Sequence, residues 1–370
     1  MMKTMIMAAG LGTRLRPLTD LISKPMTPIV NKPVMEHILE LLAASNCSEI
    51  AVSLHWHAQA ITSYFNNGST WGVNLSYSYE KELLGTAGGV KKMQNFLQDD
   101  TFLVMSGDAL TDLDIMGLLE FHKKKGALAT LVVTRVEDPS DFGVVLMDDN
   151  NRIIGFQEKP PREKALSNLA NSGIYVFEPQ IFDLIPEGSF YDFGRELFPR
   201  LVDMKYPFYG YVNDRYWNDV GSLDQYQQGN FDALSGKVHV KIPGTLVREG
   251  IWVGSDSEIQ QGVIISPPVC IGSRCVIKKD VRLLGPVIIG NDTVVDERAV
   301  LYKGIKWGSG YIGKDASVIG GIVGYSTFIK ENSKILENAV IGSGCVIEGG
   351  ITIHPSVKIM SNQVVENDTA

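Results

Sequence analysis

The most constraining feature of this 370-residue sequence is an 18-residue repeat in its last third. Val-Gly or Ile-Gly pairs begin at Val253, Ile271, Ile289, Val323 and Ile341, and Ile359 stands 18 residues after the last of them. Eighteen residues make three six-residue steps, one full turn of a left-handed parallel β-helix, and each turn buries its inner face only against its neighbours. The repeat therefore predicts such a helix over residues 251–370. A gap of 34 residues between Ile289 and Val323 predicts a disturbed register near the segment YKGIKWGSG.

The first 234 residues have a different pattern. Compact apolar runs at 4–9, 49–54, 101–106 and 128–133 are typical of strands buried on both faces. Amphipathic stretches such as 34–44 and 115–124 lie between them, so we expect an α/β, Rossmann-like domain with a mostly parallel sheet and helices on both faces. The predicted organisation is a domain over 1–234, a linker over 235–250 and the β-helix over 251–370.

Charge and cysteine content exclude several classes of protein. A net charge of -8 disfavours nucleic acid or an anionic membrane as the main partner. Four scattered cysteines without a C-x-x-C pair predict free thiols rather than disulfides or zinc. The N-terminal apolar run is too short for a signal peptide, and no 18-residue apolar stretch occurs, so we predict a cytoplasmic protein.

A glycine loop follows the first predicted strand, where α/β folds bind ligands. Gly10 and Gly12 match the start of a dinucleotide fingerprint, but Leu15 stands at the third glycine and Arg14 precedes it. Backbone N–H groups of such a turn can face an anion, and a guanidinium grips two phosphate oxygens. Lys24 adds a second positive charge. The loop therefore predicts a site for a phosphate chain.

Seven motifs in order resemble the sugar-1-phosphate nucleotidyltransferases, in particular the bacterial mannose-1-phosphate guanylyltransferase branch. They read GLGTRLRPLT…SKPMTPIVNKP, ELLGTAGGVKK, MSGDALTDLD, GFQEKP, NSGIYVFEP, YDFGRELFPRL and YWNDVGSLDQY. The resemblance covers essentially the whole chain, because several branches of this family carry a hexapeptide-repeat tail. It implies transfer of a nucleotidyl group from a nucleoside triphosphate to a sugar 1-phosphate, with release of pyrophosphate. The sugar phosphate is already ionised near neutral pH, so this chemistry needs positioning and positive charge rather than a general base.

The resemblance also implies roles for individual residues. The catalytic residues would be Arg14, Lys24 and Lys159, and Mg²⁺ would be held by Asp108 and Asp219. Sugar contacts would come from Glu158, Lys159, Asn171 and Gly173. Nucleotide contacts would come from Ala9, Gly10, Leu11, Gly12, Thr13, Arg14, Gly85, Thr86, Ala87, Gly88 and Asp108. A carboxylate at Glu80 or Glu82 would suit guanine N1 and N2, which favours GTP and hence GDP-mannose as product.

Other interpretations stay open at this stage. The same reaction with UTP or dTTP and glucose 1-phosphate is the main alternative, and a non-catalytic regulatory subunit or an acyltransferase activity of the β-helix are further ones. The repeats predict a homo-oligomer through the β-helix. The guanylyltransferase branch suggests association with a phosphomannomutase, either separate or as a further module. His55, Trp56 and His57 are interpreted as structural.

Overall fold

A computed structural model describes residues 2–369 of the chain. The chain folds into two compact units. Unit 1 comprises the chain up to Leu11 together with Met35–Asp219, and unit 2 comprises Gly12–Val34 together with the chain from Val220 onwards. The predicted division after residue 234 differs from this one, because the segment Gly12–Val34 and the helix Leu223–Leu234 pack with the C-terminal strands.

Unit 1 is built on a nine-stranded mixed sheet. Seven of its strands follow the order Ile153–Glu158, Gly143–Met147, Leu169–Phe177, Phe102–Ser106, Lys3–Met7, Glu49–Leu54 and Asn74–Tyr79. Ala129–Arg135 pairs with Leu169–Phe177 and with the ninth strand, Phe208–Val212. Four of the eight strand pairs are parallel and four are antiparallel. The expectation of a mostly parallel sheet was therefore too strong, because the long strand Leu169–Phe177 runs against three neighbours.

The predicted strands and helices of unit 1 occur close to their expected places. The α-helices are Val34–Ala44, Ala58–Phe65, Gly85–Lys92, Gln94–Leu97, Ile115–Lys125 and Phe198–Asp203. Short 3₁₀ turns cover Ser69–Trp71, Arg162–Lys164 and Pro179–Leu184, a π-helical turn covers Phe193–Leu197, and Leu110–Thr111 pairs with Trp217–Asn218. One apolar cluster joins strand residues such as Met5, Val104 and Leu131 to helix residues such as Val90 and Phe198. This core fixes the strands whose ends carry the site.

Unit 2 contains three further sheets that form a β-helix, consistent with the left-handed one predicted. The first face contains Thr245–Arg248, Ile251–Val253, Val269–Ile271, Val287–Ile289, Ile305–Lys306, Ile322–Val323, Val340–Ile341 and Lys358–Ile359. The second contains Glu258–Ile259, Val276–Ile277, Thr293–Val295, Gly310–Ile312, Thr327–Ile329, Val346–Ile347 and Val364–Val365. The third contains Ile264–Ser266, Arg282–Leu284, Val300–Tyr302, Ser317–Ile319, Lys334–Ile335 and Thr352–Ile353. Apart from the antiparallel first strand, all ladders are parallel and stack the coils in register.

The disturbed register has a simple cause in the structure. Ile289 pairs with Lys306, and Lys306 pairs with Val323, so two successive coils contain 17 residues each. The missing residue is lost at the same corner both times, between Leu301 and Lys306 and between Val318 and Val323. The predicted disturbance is confirmed, and it places a lysine in an inward row that is otherwise aliphatic.

Lys306 is fully buried in unit 2. Its Nζ donates to the carbonyl oxygens of Trp307 at 2.6 Å, Ser309 at 2.9 Å and Gly324 at 3.1 Å. Burial lowers the pKa of Lys306 to about 7, while the three carbonyl oxygens favour the charged form. The ammonium therefore replaces an aliphatic contact with three hydrogen bonds inside the solenoid.

Candidate active site

The candidate site of unit 1 lies where parallel strands end. Residues 8–11 follow the strand Lys3–Met7, and Gly107 and Asp108 follow the strand Phe102–Ser106. Gly107 N–H donates to the Met7 carbonyl at 2.9 Å, and a Cβ at Gly107 would lie equally close to that oxygen. The two turns are thus held together, which brings the predicted Ala9, Gly10 and Leu11 to the same edge as Asp108.

The two predicted metal ligands occupy one end of a short ladder. Asn218 pairs with Leu110 at this end of the ladder. Asp219 follows Asn218 directly, and Asp108 precedes the strand that begins at Leu110, so both acids flank the same end. The Ser106 hydroxyl donates to Asp108 Oδ1 at 2.5 Å. This arrangement offers carboxylate oxygens from two adjacent turns. No cluster of three or more protein metal ligands occurs within residues 2–369.

The predicted sugar-binding strand reaches the same edge. Gly173 has φ +72°, and a Cβ there would lie 3.1 Å from the Ser106 Cβ. The Asn171 side chain accepts from Gly173 N–H at 2.9 Å and donates to the Tyr175 hydroxyl at 3.1 Å. The structure thus brings Gly173 beside the turn that carries Asp108, while the Asn171 amide stabilises the bulge that makes this possible.

Glu158 and Lys159 end another strand of the sheet. The Glu158 carboxylate lies over two glycines: a Cβ would be 3.2 Å from Oε2 at Gly143 and 2.6 Å at Gly194. Burial raises the pKa of Glu158, the nearby Asp192 acts in the same direction, and Lys159 opposes both. Lys159 has φ +46°, and its N–H donates to the Phe142 carbonyl at 3.1 Å.

The loop predicted to face the base is bound to a segment that the sequence analysis left without a role. Gly88 N–H donates to the Tyr191 carbonyl at 3.0 Å, and Tyr191 N–H donates to the Leu84 carbonyl at 2.9 Å. The Thr86 hydroxyl donates to Asp192 Oδ2 at 2.9 Å. The Gly88 N–H and the Thr86 hydroxyl therefore already have protein partners, so their predicted nucleotide contacts remain predictions. Gly85, with φ +74°, and the buried Ala87 belong to the same first turn of helix.

Asp192 is the functional candidate that sequence reasoning missed. Its side chain also accepts from Gly194 N–H at 2.9 Å and Arg195 N–H at 3.1 Å, so it caps the turn Phe193–Leu197. An Asp two residues before a glycine, in the quoted motif YDFGRE, is a recognisable capping signal. Its third side-chain hydrogen bond, from the Thr86 hydroxyl, joins residues 106 positions apart and has no local signal in the sequence.

Glu80 has an internal role in this loop. The residue is 5% exposed, its Oε2 accepts from Leu84 N–H at 3.0 Å, and a Cβ at Gly89 would lie 2.8 Å from Oε1. Burial raises the pKa of Glu80. The Glu80 carboxylate thus stabilises this loop by a hydrogen bond inside it, whereas Glu82 is exposed.

The remaining predicted phosphate-binding residues belong to unit 2. Gly12 has φ +64° and precedes the 3₁₀ turn Thr13–Leu15, which buries Leu15 and leaves Arg14 exposed. A Cβ at Gly12 would lie 3.0 Å from the Lys24 Cβ. The Thr19 hydroxyl donates to the Gly12 carbonyl at 2.8 Å. The fold of this segment therefore holds the turn that carries Thr13 and Arg14 against Lys24.

Comparison with known proteins now decides the family. The model of a family described as nucleotidyl transferase matches residues 3–236. The chain belongs to this family. It is an enzyme of the sugar-1-phosphate nucleotidyltransferase class, so the alternative of a non-catalytic subunit receives no support from the comparisons.

Two relatives of this nucleotidyl transferase differ in the nucleotide and sugar that they are named for. A UTP–glucose-1-phosphate uridylyltransferase of Synechocystis is 47% identical over 267 residues, which are 68% of this chain and 69% of the relative. A mannose-1-phosphate guanylyltransferase of Mycobacterium tuberculosis is 34% identical over 278 residues, 70% of this chain and 76% of the relative.

Two solved structures resemble the fold. A putative glucose-1-phosphate thymidylyltransferase from Bacillus anthracis aligns with a TM-score of 0.59 at 23% identity, covering 65% of this chain and 98% of that one. HddC from Yersinia pseudotuberculosis, complexed with GMP-PN, aligns with a TM-score of 0.55 at 25% identity, covering 62% and 98%. Across residues 2–369 no helix is both long and apolar enough to cross a membrane.

Proposed function

We propose that this nucleotidyltransferase joins UTP and glucose 1-phosphate to give UDP-glucose and pyrophosphate. The observation that carries the proposal is the 47% identity with the Synechocystis uridylyltransferase, against 34% with the mycobacterial guanylyltransferase. The preference for GTP and mannose 1-phosphate in the sequence analysis rested on the resemblance to the guanylyltransferase branch, and its one support from the residues was a glutamate that could contact guanine. The burial of Glu80 and its bond to Leu84 weaken that support.

In the proposed reaction a phosphate oxygen of the sugar 1-phosphate attacks the α-phosphorus of the nucleotide. A new P–O bond forms as the bond to the β-phosphate oxygen breaks, and pyrophosphate carries away the electron pair. Arg14 and Lys24 would bind triphosphate oxygens, and Lys159 would bind the sugar phosphate. Their charges would offset the repulsion between two polyanions, which is the main obstacle to this reaction.

The donor set at the sheet edge suits Mg²⁺. This ion prefers oxygen ligands and is commonly bound by one or two carboxylates together with substrate phosphates. Asp108 and Asp219, at the end of one ladder, fit that requirement, and the Ser106 bond orients one carboxylate. When bound, the ion would neutralise phosphate charge and align the reacting groups. Glu158 would accept hydrogen bonds from sugar hydroxyls, and Gly173 would let the backbone approach the sugar.

A substrate matrix tests the proposal. Purified protein with Mg²⁺ would be assayed with UTP, GTP, dTTP or ATP against glucose 1-phosphate or mannose 1-phosphate. Pyrophosphate release would give kcat/KM, and mass spectrometry would identify the nucleotide sugar. We expect the highest kcat/KM for UTP with glucose 1-phosphate. A higher value for any other pair would contradict the proposal.

The second candidate is GTP with mannose 1-phosphate. It is favoured by mannose-1-phosphate guanyltransferases from several fungi, of which the Candida albicans protein is 36% identical over 233 residues. Oligomer formation, association with a phosphomannomutase, a cytoplasmic location and acyl transfer by the β-helix remain predictions.

A further inference from the structure

The segment Gly12–Val34 contains both Arg14 and Lys24, and within unit 2 it forms hydrogen bonds to the helix Leu223–Leu234 and to the solenoid. Two groups of contacts hold it. The first surrounds the hairpin formed by the strands Pro28–Ile29 and Lys32–Pro33. The second surrounds residues 17–20. Lys24 lies between these two groups in the chain.

The hairpin is tied to the solenoid by a chain of buried hydrogen bonds. Trp307 Nε1 donates to the Tyr226 hydroxyl at 2.7 Å, and that hydroxyl donates to the Pro28 carbonyl at 2.6 Å. Both aromatic side chains are at most 1% exposed, and their rings meet edge to face with centroids 6.1 Å apart. Each group in this chain is shielded from water, so a lost bond cannot be replaced by solvent.

The turn of the same hairpin places a β-branched residue in a conformation that such residues disfavour. Val30 has φ +45° and Asn31 has φ +65°, and the left-handed region is rare for a β-branched residue. Val30 N–H donates to Asn230 Oδ1 at 2.9 Å, and Asn31 Nδ2 donates to the Ile289 carbonyl at 2.9 Å. Such a conformation persists only where surrounding contacts impose it. Here those contacts come from the helix Leu223–Leu234 and from a solenoid coil.

The second contact involves the last coils of the solenoid. Ser361 N–H donates to Asp20 Oδ2 at 3.3 Å, and the Ser361 hydroxyl lies 3.5 Å from the Pro17 carbonyl oxygen. Gly12 packs closely on Lys24. The turn that carries Arg14 is therefore held in place by the segment that these two groups of contacts anchor.

We propose that Tyr226 and Trp307 are positioning residues for nucleotidyl transfer, through which the solenoid sets the placement of Arg14 and Lys24. This inference rests on the proposed triphosphate role of those two cations, whichever base and sugar the enzyme uses. A displacement of the hairpin would move cations that must meet phosphate oxygens within hydrogen-bond distance.

The test compares two tyrosine variants of the full chain. Tyr226→Phe keeps the ring but removes the hydroxyl that joins Trp307 to Pro28. Tyr311→Phe is the matched control, because its hydroxyl donates to Asp296 in the same solenoid and its described contacts do not involve the hairpin. With the preferred nucleotide and sugar phosphate, we expect Tyr226→Phe to lower kcat/KM about tenfold or more, as small misplacements of binding groups do. Tyr311→Phe should stay within twofold of wild type.

A double variant shows whether Tyr226 acts through the cation. In an Arg14→Ala background, Tyr226→Phe should lower kcat/KM by a smaller factor than in the wild type, because only the part of the effect that acts through Lys24 remains. Equal fold-changes in both backgrounds, or a Tyr226→Phe enzyme as active as the Tyr311→Phe control, would overturn the positioning role alone. An Arg14→Ala enzyme with wild-type kcat/KM would overturn the proposed role of Arg14 as well.

A second variant covers the case in which Tyr226→Phe does not fold. Asn31→Gly suits the left-handed turn but removes the amide that donates to Ile289. We expect a severalfold fall in kcat/KM for the nucleotide with melting unchanged to within a few degrees. Wild-type kcat/KM in a folded Asn31→Gly enzyme would contradict the proposal.

Discussion

At the scale of single residues, the paired acids and Glu158 make the site testable without knowledge of the base. Asp108 and Asp219 flank the same end of one ladder, and the Glu158 carboxylate lies over Gly143 and Gly194. Each has a neutral isostere, so charge can be removed with little change of shape.

Asp108→Asn should raise the Mg²⁺ concentration needed for half-maximal activity about tenfold or more, since one of two carboxylate ligands is lost. The asparagine oxygen can still accept from Ser106, so the melting temperature should change little. Mg²⁺ titration of the initial rate is the measurement. Asp99→Asn is a suitable control, because Asp99 pairs with Lys3 at the opposite end of the first strand. An unchanged Mg²⁺ dependence in Asp108→Asn would assign the metal elsewhere.

Glu158→Gln should raise KM for the sugar phosphate, with about a 10- to 100-fold fall in kcat/KM, the usual effect of losing hydrogen bonds to a charged acceptor. Because burial raises the pKa of Glu158, the carboxylate should become protonated at a higher pH than an ordinary glutamate. The sugar-phosphate KM of the wild type should therefore rise as pH falls, relative to the variant. Parallel pH profiles for the two enzymes would remove Glu158 from sugar binding.

At the scale of elements, the stability of the two 17-residue coils depends on the hydrogen bonds of Lys306. Lys306→Met leaves the carbonyls of Trp307, Ser309 and Gly324 without this donor and should lower the free energy of unfolding by about 1–3 kcal/mol. Urea unfolding at neutral pH measures the change. The exposed Lys334→Met is the control and should be nearly neutral. A stabilised Lys306→Met protein would mean that the buried charge costs more than its hydrogen bonds contribute.

Lys306 should also give the solenoid a characteristic pH dependence. The pKa of Lys306 is about 7 in the folded protein, against 10.5 for an ordinary lysine, so between these two values the unfolded chain binds more protons. The free energy of unfolding should therefore rise with pH over this window, by at most about 1.4 kcal/mol per pH unit, and fall again as pH returns towards 7. Lys306→Met should lack this rise. If the free energy of unfolding varied with pH identically in wild type and variant between pH 7 and 10, the proposed contribution of Lys306 would be contradicted.

The fold was predictable where its signals are local. The 18-residue repeat indicated the solenoid, and the glycine loop after an apolar run indicated the sheet edge that also carries Asp108. Lys306 could not be assigned in this way, since a strict 18-residue step from Ile289 selects Trp307 as the inward residue. Only the ladder shows that the corner is one residue short.

The least predictable features join distant parts of the chain. The Thr86 hydroxyl and the Gly88 N–H bind residues about a hundred positions away, and Val30 binds Asn230. A single sequence carries no periodicity for such pairs. The same limit explains why Gly12–Val34, which belongs to the sequence of the nucleotidyltransferase domain, could not be assigned to the unit that contains the solenoid.

At the scale of the whole molecule, the cysteines report on unfolding. Cys47 in unit 1 and Cys270, Cys275 and Cys345 in unit 2 are free and buried, which confirms the prediction of free thiols. Burial raises the pKa of each thiol, for Cys270 to about 12. Alkylation therefore requires opening of the structure.

At pH 8 we expect iodoacetamide to label all four thiols in the native protein at least about a thousandfold more slowly than in urea, because the open population is small. Peptide mass spectrometry would measure each site. The exposed Ser255→Cys provides a positive control that labels rapidly. Rapid native labelling of Cys47 or of a solenoid thiol would show that the corresponding unit opens readily.

The packing of Gly12–Val34 restricts how members of this family can be recombined. A chimera made with a single crossover near residue 236 would exchange Trp307 and Ile289 while keeping the native hairpin that they hold. The grafted solenoid would need matching contacts for Pro28 and Asn31. Without them, Arg14 and Lys24 would be positioned by non-native contacts. Functional hybrids should therefore arise more often from two crossovers, in which the short N-terminal segment travels with the tail.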